Sequence, residues 1–299
     1  MSASKDGGFV ASGSADKSVS VWTWDLNQKY TFDHSSALQA LAFNPITPNI
    51  LATASVNDFA IWNMPSTSLR KIKVTSRVCC LGWTSDGQML ALGLHSGTIS
   101  LRDLGGVEKL TIKRGAPVWD LAWAPQKGAL AQPDASVAPV DVLSVACWDG
   151  TLSFYTADGK EVSKAREYAS QGGGGDPTSV RPFLSSEYLL VAGSDGKAAL
   201  CTRDGVRLNT LHEAKDWLWR AVPRPRTNSF VTACNNGTLA MYTLVFSTVH
   251  GLYGDRYASR ESCTDVLVRH LGSDARVRIK CRCAMPPMLC GLPNLLPFF

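Results

Sequence analysis

The chain has 299 residues, of which 45% are hydrophobic and 18% are charged, and this composition excludes an intrinsically disordered chain. Thirty Lys and Arg residues against 25 Asp and Glu residues leave a net charge of +5. A bias this small over the whole length argues against a protein built mainly to bind nucleic acid.

The N-terminus predicts neither secretion nor membrane insertion. Residues 1–8 contain no apolar h-region, and nowhere does the chain hold 18 uninterrupted apolar residues. The nine cysteines are odd in number, and Cys147, Cys201 and Cys234 lie within apolar, strand-like segments. We therefore expect reduced, buried thiols, as in a cytosolic protein.

An internal repeat dominates the sequence. Asp-Gly and Asn-Gly pairs supply the positive φ of tight hairpin turns, and the flanking Val, Ile, Leu, Thr and Tyr residues favour strands. Six segments combine an apolar run, a turn pair and a second run that ends in an aromatic or apolar residue, and each is predicted to be a β-hairpin: 9–22, 50–62, 89–101, 142–155, 189–201 and 230–242.

Two further strands lie between successive hairpins. Inner strands are predicted at 38–43, 78–83 and 118–123, with looser versions at 178–183 and 217–222, and outer strands at 29–32, 71–74 and 109–112. The first turn residues of successive hairpins are 39 to 53 residues apart, and the two longest intervals hold loop-like insertions. Four strands in about forty residues make one β-propeller blade.

This period matches the WD-repeat β-propeller, so we predict an all-β fold of that class. Asp16 lies six residues before Trp22, the spacing typical of these repeats, and His34 and His212 stand where a repeat's histidine is expected. In WD-repeat propellers the turn aspartate and the histidine form a hydrogen-bond network beneath the tryptophan. The predicted structural repeat positions are Asp16, Trp22, His34, Asn57, Trp62, Ser96, Gly97, Asp149, Gly150, Asp195, Gly196, Asn236 and Gly237.

We expect an incomplete ring, with about five full four-stranded blades and partial blades at both ends. Phe9 is predicted to open the third strand of a blade, without the outer and inner strands that should precede it. Residues 1–242 form the predicted propeller blades, and residues 243–283 an irregular continuation toward a further blade, with a strand at 277–280. Residues 284–299 form a Pro-rich apolar tail, predicted to be disordered or an artefact of the gene model.

Four stretches point to a particular family. They are 11–19, 43–47, Phe-Ser-Thr-Val-His-Gly-Leu-Tyr-x-Asp-Arg-Tyr at 246–257, and Val-Arg-Ile-Lys-Cys at 277–281. The motif at 246–257 is not a general WD-repeat feature. Together these stretches resemble the intraflagellar transport protein 122 family, WD-repeat subunits of intraflagellar transport complex A. The resemblance runs from about Phe9 to Cys281 and includes part of the family's N-terminal propeller.

The resemblance implies a protein-interaction scaffold without catalytic activity, cofactor or metal. Its implied roles are retrograde intraciliary transport, cilium assembly and ciliary receptor trafficking. The implied partners are the other complex A subunits and ciliary cargo adaptors, with no small-molecule substrate and only indirect contact with membranes. The implied location is the cilium and the cytoplasm, at the ciliary base and along the axoneme. Blade edges and loops would hold partners through many small contacts.

Two alternative functions remain open. One is a coatomer-like vesicle-coat propeller that binds sorting motifs. The other is a propeller that binds nucleic acid or acidic ligands, suggested by the net charge and by Trp217, Trp219, Arg220, Arg224 and Arg226. Because the two tryptophans share one face of a predicted strand, packing between blades is the favoured interpretation of this cluster.

Other local patterns predict no chemistry. The glycine run at 172–175 lacks the Gly-Lys-Ser/Thr of a phosphate loop and predicts a linker. Cys281, Cys283 and Cys290 lack the partner pair that a structural zinc site needs, and the cysteines at 79–80 face opposite sides of a strand. No Gly-x-Ser-x-Gly nucleophile elbow accompanies the five histidines.

Overall fold

The computed structural model describes residues 1–64, 71–126, 140–168, 175–245, 250–260, 265–273, 275–280 and 288–290. These residues form seven antiparallel four-stranded sheets joined by turns and loops, with no helix among them. Within this part of the chain there is accordingly no helix of the length and hydropathy that would cross a membrane. The predicted all-β architecture of repeated four-stranded units is confirmed.

The sheets are numbered in the order in which their first strands occur in the chain. The strands of each sheet are given from the inner strand to the outer strand. Sheets 1 to 3 comprise Ser2–Ala3, Phe9–Gly13, Ser18–Thr23 and Gln28–Asp33; Leu38–Phe43, Ile50–Ser55, Asp58–Asn63 and Ile72–Lys73; and Val78–Trp83, Met89–Leu94, Thr98–Asp103 and Glu108–Lys113. Sheets 4 and 5 comprise Val118–Gln126, Val140–Cys147, Thr151–Thr156 and Glu161–Glu167; and Pro177–Phe183, Tyr188–Gly193, Lys197–Thr202 and Arg207–Glu213. Sheets 6 and 7 comprise Leu218–Pro223, Ser229–Cys234, Leu239–Val245 and Met288–Cys290; and His250–Tyr253, Arg256–Arg260, Asp265–His270 and Arg276–Lys280.

The inner strands lie where the sequence places them. Leu38–Phe43 and Val78–Trp83 have the predicted bounds, and the inner strands of sheets 4 to 6 differ from prediction by at most three residues at either end. Neighbouring inner strands leave little room for a side chain at this point, because a Cβ atom on Gly82 would lie 2.9 Å from Cδ1 of Leu121 in the next sheet. This crowding explains why small residues recur at that point of the repeat.

Sheet 1 is a four-stranded sheet, which corrects the predicted half-blade. Ser2–Ala3 pairs with Phe9–Gly13 as the inner strand, and Gln28–Asp33 pairs with Ser18–Thr23 as the outer strand. Phe9 therefore opens the second strand, not the third. The predicted repeat unit begins with an outer strand followed by an inner strand and a hairpin. In the structure each outer strand instead pairs with the hairpin that precedes it in the chain. A two-residue inner strand shows no hydrophobic period, so the pattern alone misses it.

The hydrophobic core is divided into layers between successive sheets. Five clusters of buried side chains join neighbouring sheets, and each includes a residue from both partners: Val21 and Leu51, Phe59 and Leu92, Ile99 and Leu143, Phe154 and Val191, and Leu200 and Phe230. Inner strands of successive sheets also contact one another. Sheets 1 to 6 are therefore stacked face to face around their inner strands, as the blades of a propeller are.

The ring formed by these six sheets is incomplete. On the outward face of sheet 6, Leu239 is 74% exposed and Met241 is 54% exposed. Among the described residues no buried hydrophobic cluster joins sheet 6 to sheet 1.

The C-terminal region holds more regular structure than the pattern predicts. An irregular continuation is expected over residues 243–283, yet sheet 7 is a regular meander that includes the predicted strand at 277–280. Within the expected tail at 284–299, Met288–Cys290 pairs with Leu239–Val245 and completes sheet 6. Pairing along an exposed strand edge uses backbone groups, so it needs no side-chain pattern in the sequence.

The hairpin turns need glycine where the backbone has a positive φ. Gly196 and Gly237 occupy the same turn position in sheets 5 and 6, with φ of 75° and 83°. At Gly196 a Cβ atom would also lie 2.5 Å from the carbonyl oxygen of Ala214, whereas at Gly237 nothing lies within 4 Å. The two glycines therefore share the conformational constraint and differ in the steric one.

Replacing these glycines by alanine separates the two constraints. Gly237→Ala is expected to cost about 1 kcal/mol of unfolding free energy, because a Cβ atom disfavours positive φ. Gly196→Ala is expected to cost at least about 1 kcal/mol more, since the loop carrying Ala214 must also shift. Urea unfolding of both variants of the full chain measures the difference, and equal losses would contradict the steric assignment.

Candidate functional site

A buried hydrogen-bond network fastens sheet 2 to the loop that leads into it. The His34 side chain is 0% exposed, and its Nδ1 lies 2.5 Å from Oδ1 of Asp58. Its Nε2 lies 2.7 Å from the hydroxyl of Thr53, which also accepts a 2.6 Å hydrogen bond from Nε1–H of Trp62. The polar groups thus pair with one another, and the loop, the turn and two strands are held together.

Asp58 is the charged centre of this network. Burial raises its pKa, but hydrogen bonds donated by Ser35, Ser55 and His34, together with the charge of His34, lower it from 3.8 to about 2. The carboxylate is therefore ionised at neutral pH and makes a poor proton donor. Its hydrogen bonds serve the fold.

The aspartate of the network is Asp58 and not the predicted Asn57. In sheet 2 the turn pairs Ala54 with Phe59, whereas the corresponding pair in sheet 4, Ala146 with Leu152, encloses one more residue. The prediction takes the first turn residue of each hairpin as the repeat aspartate. In this shorter turn that rule selects Asn57, one position before Asp58. The sequence does carry a signal, because Asp58 is the only acidic residue in the segment 50–63.

Sheets 4 and 5 use other side chains at the position of His34. Arg114 and Tyr168, like His34, donate their backbone N–H groups to the turn of the preceding hairpin. The Arg114 guanidinium lies 3.3 Å from Asp149, and the Tyr168 hydroxyl lies 3.3 Å from Asp195. Both predicted turn aspartates therefore have a partner from the preceding loop, although neither partner is a histidine.

His212 does not occupy the repeat's histidine position, which corrects the prediction. Ala214 donates the equivalent backbone N–H to the turn carbonyl of Gly196. His212 lies two residues earlier, inside Arg207–Glu213, and its Nδ1 is 2.8 Å from the hydroxyl of Tyr242. Val74 holds the corresponding position before sheet 3, so sheets 3 and 6 lack this side-chain contact.

The remaining predicted repeat positions have local partners. Asp16 accepts from the backbone and hydroxyl of Ser18, the Ser96 hydroxyl donates to Thr98, Asn236 accepts from the backbone of Thr238, and Trp22 donates to Ser12 at 3.3 Å. Gly97, Gly150, Gly196 and Gly237 supply the positive φ of their turns. These residues shape the hairpins.

A β-bulge recurs in the inner strands of sheets 2 to 6. One residue of each strand is skipped by the pairing with the second strand, at the same point of every sheet: Gln39, Cys79, Trp119, Thr178 and Trp219. A bulge turns its extra residue out of the ladder, so this position is free of the alternation that packs its neighbours into the core.

Four tryptophans meet at this end of the inner strands, and we call them the tryptophan cluster: Trp119, Trp148, Trp217 and Trp219. The ring centroids of Trp119 and Trp148 are 4.4 Å apart and stacked, and those of Trp119 and Trp219 are 6.4 Å apart. Trp217 joins at 5.7 Å from Trp219. Trp148, Trp217 and Trp219 are about two-fifths exposed. The premise that Trp217 and Trp219 share one face of a strand is wrong, because Trp217 precedes the strand and Trp219 is the bulged residue.

Beside the cluster, one buried carboxylate pairs with two guanidinium groups, and we call these residues the ion triad. Asp120 is 2% exposed, and its oxygens lie 2.7 Å from Nη1 of Arg181 and 3.0 Å from Nη1 of Arg220. The three residues belong to sheets 4, 5 and 6. The negative charge of Asp120 raises the pKa of Arg220, with burial acting in the opposite direction. The triad therefore clamps three inner strands together.

Arg224 and Arg226 do not join the tryptophans. They lie in the turn between Leu218–Pro223 and Ser229–Cys234, at the other end of the inner strand, where the backbone of Arg224 bonds to Ser229. The predicted aromatic and basic cluster is thus divided, and Arg220 alone of its arginines follows a cluster tryptophan directly in the inner strand.

Cysteine side chains in the described part of the chain are structural. Cys80, Cys147 and Cys201 are buried, and burial raises the pKa of Cys201 to about 12. Cys234 is only partly buried, unlike its prediction. No group of three or more His, Cys, Asp or Glu side chains suited to a metal occurs in the described ranges. Residues 172–174, Cys281, Cys283 and the side chain of Cys290 lie outside them.

Two family models match the chain in succession. The model described as IFT122 first beta-propeller matches residues 1–243, which hold sheets 1 to 5 and most of sheet 6. The model described as IFT122 second beta-propeller matches residues 250–286, which hold sheet 7. The boundary between the models thus falls between the third strand of sheet 6 and the first strand of sheet 7.

Curated relatives agree with these models. Proteins named Intraflagellar transport protein 122 homolog are 44% identical in Danio rerio and 45% identical in Xenopus tropicalis, each over 282 residues. The Homo sapiens protein of that name is 37% identical over 332 residues. Each alignment covers 93% of this chain but only 22% to 26% of the relative. The chain therefore spans about a quarter of the length of these relatives.

Removing the Asp58 carboxylate tests the buried network. Asp58→Asn is expected to lower the free energy of unfolding at pH 7 by about 2 kcal/mol, because buried donors lose their charged acceptor. The native pKa of about 2 lies below the ordinary value of 3.8, so this stabilisation is full above pH 4 and is lost as the pH falls toward 2.

Denaturant unfolding between pH 2 and pH 7 measures both effects. Asp16→Asn is the matched control, since Asp16 lies in an exposed turn, and it is expected to change stability by less than about 0.5 kcal/mol. If Asp58→Asn were as mild as Asp16→Asn, or kept the acid sensitivity of the parent chain, the network would not carry this role.

The ion triad makes a separate prediction. Asp120→Asn is expected to cost about 2 kcal/mol of unfolding free energy, because the Arg181 and Arg220 guanidiniums then face each other without a counter-charge. Asp204→Asn is the control, since Asp204 and Arg166 are both about half exposed at 3.5 Å, and it is expected to cost less than about 0.5 kcal/mol. Equal costs in urea unfolding would contradict the clamp.

Proposed function

This chain belongs to the IFT122 family, and we propose that it is a non-catalytic protein-interaction scaffold in intraflagellar transport complex A. The observation that carries the proposal is the match of the family's first propeller model to residues 1–243, where six successive sheets present loops and strand edges around shared inner strands. Rigid stacked sheets offer large surfaces for partners at little conformational cost.

The polar groups that sequence motifs single out support a scaffold and not an enzyme. His34 is enclosed by Asp58, Thr53 and Trp62, and Asp58 holds its charge down to about pH 2. Groups that are paired and buried in this way stabilise the fold and have no free position facing a substrate.

The finer roles proposed are retrograde intraciliary transport, cilium assembly and ciliary receptor trafficking. The proposed partners are the other subunits of complex A and ciliary cargo adaptors, and the proposed location is the cilium and cytoplasm, at the ciliary base and along the axoneme. The names of the relatives support the part of this assignment that they print, a role in intraflagellar transport. Contacts made by the remaining three quarters of those relatives are not assigned to this chain.

Affinity purification from ciliated cells tests the proposal. The tagged full chain is expected to copurify with other complex A subunits and to be found at the ciliary base and along the axoneme. Phe59→Asp is the control, because an unpaired charge placed in the fully buried layer between sheets 2 and 3 unfolds the surface that partners recognise. Copurification and ciliary signal should both disappear in this variant.

The proposal would be contradicted if the tagged chain is folded but neither copurifies with complex A subunits nor enters cilia. Enrichment at the Golgi instead would favour the coatomer-like alternative.

A further inference from the structure

The tryptophan cluster is not explained by packing of the propeller. The cores between sheets are formed by other residues, and neither Trp148, Trp217 nor Trp219 belongs to a buried cluster. Three large indole side chains at about two-fifths exposure, together with the partly buried Trp119, form a continuous aromatic surface. Exposed tryptophans gathered in one place are typical of an interaction surface.

The fold builds this surface in a specific way. Trp119 and Trp219 are the bulged residues of sheets 4 and 6, and the sheet between them carries the small Thr178 at the same position. Thr178 is buried and donates its hydroxyl hydrogen bond to the carbonyl of Leu218. The two indoles therefore approach each other across sheet 5. Trp219 is further held by a 3.0 Å hydrogen bond from its Nε1–H to Asn235.

The residue that follows a tryptophan of the cluster is charged in two of the sheets. In each of sheets 4 and 6 the residue after the bulged tryptophan belongs to the ion triad: Asp120 follows Trp119, and Arg220 follows Trp219. The triad holds two guanidiniums and one carboxylate, so one positive charge is unbalanced. Arg220 is 46% exposed, and among the described residues Asp120 is the only hydrogen-bond partner of its guanidinium. Its remaining N–H donors are available to a carboxylate.

We propose that the tryptophan cluster and Arg220 bind a peptide segment of a partner protein, in which a proline or other apolar residue stands next to one carboxylate side chain. The apolar residue would stack on the indole rings, and the carboxylate would take the free donors of Arg220. Interface hot spots typically combine aromatic side chains with a charged pair that is shielded from water, and the bound peptide would form such a pair with Arg220. This surface would serve the proposed scaffold function, but its binding of peptides can be tested independently of that function.

Nucleic acid fits this surface less well. Single strands bound by stacking also need a basic groove along several phosphates, whereas the ion triad has one unbalanced positive charge. The Asp216 carboxylate, which accepts the backbone N–H of Trp217 at 2.7 Å and a bond from Asn235 at 3.0 Å, adds negative charge at the same rim. A single acidic residue is therefore a better match than a phosphate backbone.

Selection from a library of random 12-residue peptides displayed on phage tests the proposal. The full chain serves as bait, and the Trp148→Ala Trp217→Ala double variant removes peptides that bind elsewhere. We expect the selected peptides to share Asp or Glu beside Pro or another apolar residue. The most enriched peptide, titrated against the chain, should lose at least tenfold in affinity when its acid is changed to the amide, and when the protein carries Trp148→Ala or Arg220→Gln.

Matched variants separate binding from folding. Trp24→Ala is the control for the tryptophans, because Trp24 is 71% exposed in the turn between Ser18–Thr23 and Gln28–Asp33 and lies outside the cluster, and it should leave affinity unchanged. Arg220→Lys should retain part of the binding that Arg220→Gln loses. All variants are compared at the same folded fraction, measured by urea unfolding. The complex A copurification experiment reads out independently, so a failure of one proposal is distinguishable from a failure of the other.

Three results would overturn the inference. They are the absence of any shared sequence among peptides that depend on the tryptophans, selection of Lys or Arg in place of the acid, and loss of peptide affinity in Trp24→Ala equal to that in Trp148→Ala. Tighter binding of a 12-nucleotide oligothymidylate than of the selected peptide, with strong weakening by salt, would assign the surface to nucleic acid instead.

Discussion

The architecture depends on sheets that are apolar on both faces. In the second strand of sheet 5, Leu190 packs into the layer shared with sheet 6, while Leu189 and Val191 pack into the layer shared with sheet 4. A sheet of this kind leaves a hydrophobic face in water unless it has a neighbour on each side, and each apolar side chain so buried contributes about 1.5 to 3 kcal/mol. Stacking around the inner strands follows from this requirement.

Polar contacts between a loop and the next hairpin turn occur at equivalent positions in several sheets, but different side chains make them. The backbone N–H of His34, Arg114 or Tyr168 bonds to the preceding turn in each case, and this fixes where the side chain starts. From there an imidazole, a guanidinium or a phenol can reach the turn aspartate. Because the backbone sets the geometry, the side chain can vary, and the repeats look degenerate in sequence although the fold is regular.

Much of the propeller is predictable from the sequence, because hairpin turns and alternating strands repeat at the period of the blade. What the pattern misses has local physical causes. The strand Ser2–Ala3 is too short to show alternation, and the hairpin turn of sheet 2 is one residue shorter than its counterparts, which moves the network's aspartate to Asp58. Alternation also fails at Trp219, because a bulge removes that residue from the face that counting assigns to it.

The recurrent bulge distinguishes residues that pair in the ladder and pack in the core from one residue of each bulged inner strand that does not pair. In sheet 6 the nearby residues Leu218 and Ala221 belong both to the ladder and to the buried layer shared with sheet 5. The bulged residue lies outside the ladder, and across sheets 2 to 6 it is Gln39, Cys79, Trp119, Thr178 and Trp219. Thr178 is buried whereas Trp219 is 39% exposed, so this position accepts side chains of different size and surroundings. Two tryptophans there, joined by two more from neighbouring loops, are therefore best understood as a surface shaped for contact with another molecule.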